Sequence, residues 1–93
     1  MSTACKPGLS WKEVADCADF ARRIVDDAVF WGDPLPESAD EAEALVRNHN
    51  KRLRSSNKRI HGYFKALYGY SIRGYIPYIV ENIGLIVAEM EES

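Results

Sequence analysis

Twice in this chain a serine stands three positions before a glutamate at the head of an apolar run: Ser10 with Glu13, and Ser38 with Glu41. Each pair has the form of a capping box, in which the hydroxyl accepts a first-turn backbone N–H and the carboxylate reaches back to the N-cap N–H. Two such starts in 93 residues commit much of the chain to helix. After the first, Val14, Cys17, Ala18, Ala21, Ile24 and Val25 recur at three- and four-residue spacing, and Ala28 and Val29 continue the stripe. Trp11, Phe20 and Trp31 widen or extend that apolar face. Gly32 supplies a stop, and Asp33-Pro34-Leu35-Pro36 cannot prolong a helix, because proline lacks a donor and disfavours α geometry before it. The pattern predicts a helix over 11–31.

The second start places Asp40, Glu41 and Glu43 in a first turn, where the helix dipole favours acids. Val46, Leu53, Ile60 and Leu67 then follow at seven-residue intervals, which predicts one long helix over 39–68. Ser55-Ser56-Asn57 and Gly62 weaken that helix, so a kink near 55–57 is its competing reading. Gly69 and Gly74 punctuate a turn over 69–76, and Pro77 suits the first turn of a final helix. Ile76, Ile79, Val80, Ile83, Ile86 and Val87 keep helical spacing. Their β-branching and Gly84 leave a short hairpin over 76–91 as the alternative. The expected fold is all-α: a small three-helix domain over 10–93 with a long central helix. Residues 1–9 are expected to form a flexible tail.

A chain of this length buries roughly 60–70% of its unfolded surface, enough for one modest core. With 46% apolar and 28% charged residues, the composition is that of a globular protein. No apolar run approaches the ~20 residues of a membrane span, and no signal-peptide pattern opens the sequence. A cytoplasmic protein with no membrane contact is expected. Cys5 and Cys17 read as two thiols rather than a disulfide.

Catalysis finds little support. His49 and His61 are twelve residues apart, roughly 18 Å along a continuous helix, too far to chelate one metal. His49 falls at a core position of the seven-residue pattern. The glycines match no phosphate-binding or dinucleotide loop, and Asp26 and Asp27 are sequence neighbours that do not face each other. The expectation is a protein that is not an enzyme and that carries no cofactor or metal.

Charge is the sharper signal. From Ala44 to Val80 there is no acidic residue, and eight cations lie in that stretch. In sequence order the chain carries poles of −6, +8 and −4 behind a net charge of −2. Charge separated in this way creates local fields that the net value hides. Arg47, Lys51, Arg54 and Lys58 follow at intervals of four, three and four, forming a stripe that Arg52 and Arg59 flank. Asn48, Asn50 and Asn57 add neutral donors and acceptors. Lys65 and Arg73 lie among all five tyrosines, of which Tyr68, Tyr70 and Tyr75 border the glycine-punctuated turn. Tyrosine and arginine are enriched in interface hot spots.

These residues are the expected contact surface of an adaptor or inhibitor for a larger protein or nucleoprotein. Direct nucleic-acid binding through the stripe over 47–59, with stacking on the rings, is the alternative. The isoelectric point of 5.6 speaks against it. A homodimer formed through the seven-residue seam is a third reading. The acidic first helix is also expected to screen part of the basic surface.

Overall fold

A computed structural model describes residues 8–51 and 62–92. Among them are four helices and no strand: α1 (Trp11–Trp31), α2 (Ala39–Lys51), α3 (Tyr63–Tyr68) and α4 (Ile76–Glu92). The all-helical class is as the sequence predicts, and 76–91 is helix rather than hairpin.

Both helix starts form as the serines imply, with one difference. At α1 the box is complete: Ser10 Oγ accepts the Glu13 N–H at 3.2 Å, and Glu13 Oε1 accepts the Ser10 N–H at 2.8 Å. At α2, Ser38 Oγ accepts the Glu41 N–H at 3.2 Å, whereas Glu41 Oε1 takes the Glu37 N–H at 2.8 Å. The carboxylate has reached one residue further back. α1 ends in a Schellman motif on Gly32, whose φ is 75°. The Asp33 N–H donates to Ala28 O at 2.8 Å and the Gly32 N–H to Val29 O at 3.2 Å.

The expected helix over 39–68 is divided. Gly62 lies between α2 and α3 at φ 118° and ψ 162°, a region open essentially to glycine alone. The Asn50 side chain fixes this junction, because its Oδ1 accepts the Phe64 N–H at 2.8 Å. A kink near 55–57 and the seam residues Leu53 and Ile60 lie outside the described residues. The seven-residue pattern nevertheless put Val46 and His49 on the correct face, since both are buried.

α4 is the helix that α1 and α2 share. It packs against α1 and α2 more extensively than those two pack against each other. Residues 36–42 lie beside 80–91, whereas Glu43 and Arg47 lie beside 71–77, so α2 and α4 run antiparallel. Ile79, Ile83 and Val87, one turn apart on α4, supply its buried stripe. Cys17, Phe20, Ala21, Ile24, Val25 and Ala28 supply that of α1, and Cys17 is a buried thiol. Phe20 has no exposed surface and stands edge-on to Phe64, Tyr63, Tyr68 and His49 at 5.1–6.1 Å.

The ends of the α1 stripe depart from expectation. Trp11 is 89% exposed and Trp31 64%, so neither widens the core, and Val14 and Val29 of the expected stripe are exposed as well, which leaves Cys17 to Ala28 as its buried span. Trp11 is the first residue of α1 and Trp31 the last, before the Gly32 turn.

Candidate functional site

The tyrosines of the expected contact surface turn inward, onto α1. Tyr68 Oη donates to Asp19 Oδ2 at 2.5 Å, Tyr70 Oη to Asp16 Oδ2 at 2.5 Å, and Tyr75 Oη to Glu13 Oε2. Glu13, Asp16 and Asp19 recur every three residues on one helical face, so the returning chain meets them in reverse order. Tyr70 and Tyr75 stack at 5.2 Å, and Phe64 lies 5.9 Å from Tyr75. Lys12 Nζ stands 4.8 Å above the Tyr70 ring and 2.8 Å from Asp16 Oδ2. Tyr75 is buried, and Tyr68 and Tyr70 are half-buried.

This belt shifts the titration of its members. The hydrogen bond from Tyr68 holds the Asp19 carboxyl below its ordinary range. Burial, and then the bonded carboxylate, pushes the Tyr68 and Tyr70 phenols well above theirs. The bond to Asp19 raises the Arg23 guanidinium in turn.

The acidic face of α1 therefore meets phenols and its own Lys12 and Arg23. Among the described residues it forms no ion pair with Arg47, Lys51, Lys65 or Arg73. The anticipated screening of the cations by helix one is absent at these four positions. Asp27 instead meets the buried His49, with Oδ2 3.5 Å from Nδ1. His49 is thus a core residue, packed 5.1 Å from Tyr63 and 5.4 Å from Phe20.

The cations are partly gathered. Arg52, Arg54, Lys58 and Arg59 lie outside the described residues. Lys51 is exposed at the end of α2 as described. Arg47 from α2, Lys65 from α3 and Arg73 from the turn before α4 line one open groove of about 950 Å³. The half-buried Ile72, Ile76 and Val80 line it too. Arg47 is shared with Glu43, at 2.7 Å, one helical turn earlier. Lys65 and Arg73 have no carboxylate partner among the described residues. Such a groove offers apolar contact below and two unneutralised cations above.

Two parts of this arrangement were missed from the sequence. The apolar lining comes from Ile72, which carries no periodic signal, and from Ile76 and Val80, which the spacing marks only as part of the final helix. The Glu43–Arg47 pair was available as an i,i+4 acid–base spacing. Asn50, one of the neutral donors and acceptors expected beside the stripe, caps α3 instead. Asn48 lines a small cleft with Glu41 and Leu45, and Asn57 lies outside the described residues.

No cluster of His, Cys, Asp and Glu among the described residues has the geometry to hold a metal ion. No helix among them is long and apolar enough to cross a membrane. No family model matches the chain, no curated protein matches it, and no solved structure matches its fold.

Proposed function

We propose that this chain is a small, non-enzymatic helical binding protein, an adaptor or inhibitor, that docks on an acidic surface of a larger protein. The observation that carries this reading is the convergence of Arg47, Lys65 and Arg73, from three different elements, on one groove with apolar lining. Cations at its edge would steer encounter with an acidic patch, and apolar side chains entering the groove would slow dissociation. The tyrosines enter indirectly: bonded to α1, they hold Lys65 and Arg73 in place. The stripe residues Arg52, Arg54, Lys58 and Arg59 follow α2 in the chain and would extend the cationic surface.

The test is affinity capture of the purified protein from lysate, with and without nuclease, using the wild type and Lys65→Glu. A defined protein retained after nuclease, and lost with Lys65→Glu, supports the proposal. Capture that disappears with nuclease would replace it with direct nucleic-acid binding. Reversal of Arg54 and Lys58 should weaken capture in either case. Retention of the partner by the Lys65→Glu and Arg54→Glu/Lys58→Glu proteins alike would reject the cationic surface altogether.

A further inference from the structure

The cationic groove does not stand alone on its face. A second groove, of about 490 Å³, continues along the same seam between α2 and α4, and the two share Ala39 and Val80. The second groove is acidic: Glu37, Glu81 and Glu91 line it and no Lys, Arg or His does. None of the three forms an ion pair among the described residues. One seam therefore carries unneutralised cations, Lys65 and Arg73, at one end and unneutralised carboxylates at the other. Ala39 and Val80 mark the midpoint.

A further feature lies at the acidic end. Gly84 sits inside α4, where glycine weakens a helix relative to alanine. Its φ is not positive, and a Cβ built on it would meet nothing within 4 Å. Neither the backbone nor the packing of this chain requires a glycine there. With Ala39 and Ala88 beside it, the position leaves an open floor on which another backbone could approach closely.

We propose that the occupant of this seam is a second copy of the chain. A purely acidic ligand would be repelled at one end and a purely basic one at the other. The right occupant carries both charges at the same separation and in the opposite order. The chain presents that pattern to itself after a two-fold rotation about an axis through Ala39 and Val80. Lys65 and Arg73 of each copy then face Glu91 of the other, at the far end of the seam, and the contact is made twice in a closed dimer. The dimer covers the cationic groove, so self-association and the binding of an acidic partner exclude each other. The inference goes beyond the proposed binding role and stands or falls without it, since its test needs only the purified protein.

The experiment is sedimentation velocity of the full chain over a concentration series, at low and high salt. The wild type should rise from 10.5 kDa towards twice that mass as concentration increases, and added salt should reverse the change. Arg73→Glu alone and Glu91→Lys alone should each weaken association by about tenfold or more, since each creates two like-charge contacts per dimer. An equimolar mixture of the two variants should dimerise again, because every 73–91 contact in the mixed dimer joins opposite charges: one contact pairs the two substituted positions, and the other is the native Arg73–Glu91 pair. Both side chains are exposed, so folding is not at risk. Gly84→Gln supplies a charge-neutral check: it fills open space, should leave helicity intact and should abolish the dimer. A wild type that stays at 10.5 kDa throughout overturns the proposal. So does a dimer that either single reversal or Gly84→Gln leaves unchanged, or a mixture that remains monomeric.

Discussion

Tyr68 and Tyr70 would be ordinary exposed rings but for the carboxylates one helix away. A neutral phenol donating to a carboxylate makes a charge-assisted bond, stronger than a bond between neutral groups. Each of these two bonds contributes about 1.5–3 kcal/mol when buried, and less at this half-exposed belt. The direction of each pKa shift sets a pH profile. The Tyr68 and Tyr70 phenols are raised above the ordinary 10.0, so their contribution is complete below that value and is lost as pH rises beyond it. Asp19 is lowered from 3.8, so its contribution is complete above that value and is lost as pH falls through the folded pKa. The contributions of these three groups to thermal stability should therefore be constant between about pH 4 and 10 and decline on both sides. Tyr70→Phe should flatten the alkaline limb alone, whereas Tyr68→Phe should flatten both. Melting curves across pH decide this, and an alkaline limb of the same slope in Tyr70→Phe would refute the assignment. The sequence disclosed the tyrosines and the three-residue spacing of Glu13, Asp16 and Asp19, but nothing in it paired them across 49 to 62 positions.

At the scale of the elements, local chemistry set the starts and stops. Ser10, Ser38 and Gly32 act through bonds to neighbours a few residues away, Pro77 through its fixed φ and missing donor, and each stands at a helix end. Gly62 is different. Its extended positive-φ backbone is closed off by the Asn50 amide, which a Cβ at position 62 would overlap. Gly62→Ala should destabilise the protein by about 1–3 kcal/mol, from backbone strain with the overlap adding to it. Asn50→Ala should cost about 1 kcal/mol through the lost cap on α3. Urea denaturation measures both, and an unshifted midpoint for Gly62→Ala would mean that α2 continues through this junction. The seven-residue pattern overran the break because Val46 and Leu67 keep their spacing while the helical path between them does not.

For the molecule as a whole, Phe20 and Trp11 make an instructive contrast. Both are aromatic residues on α1, yet Phe20 is fully buried where α1, α2 and α3 meet and Trp11 is 89% exposed. Phe20→Ala should cost about 3–5 kcal/mol, as expected for an aromatic cavity in a core. Trp11→Ala should stay within about 0.5 kcal/mol of the wild type. Chemical denaturation of the pair checks the packing, and equal losses would contradict it. The same tertiary arrangement leaves Lys65, Arg73, Glu81 and Glu91 of the α2–α4 seam without ion-pair partners among the described residues, while Glu13, Asp16 and Asp19 of α1 are taken up by phenols. Partner binding through Lys65 should accordingly weaken as salt rises, and Lys65→Glu should reduce that salt dependence along with affinity.

By itself, the sequence determined that the chain is helical, where α1 begins and ends, and which face of α1, α2 and α4 is buried. It also determined that positive charge collects between Ala44 and Val80. These are properties of neighbours within one or two helical turns, where capping, backbone restriction and spacing act directly. Only the tertiary structure decided that the tyrosines face α1, that α4 is the helix α1 and α2 share, and that Lys65 and Arg73 join Arg47 at a groove. Each of those outcomes depends on which distant side chains meet. Competition among many nearly equivalent apolar and polar pairings settles that question, and no local pattern records its result.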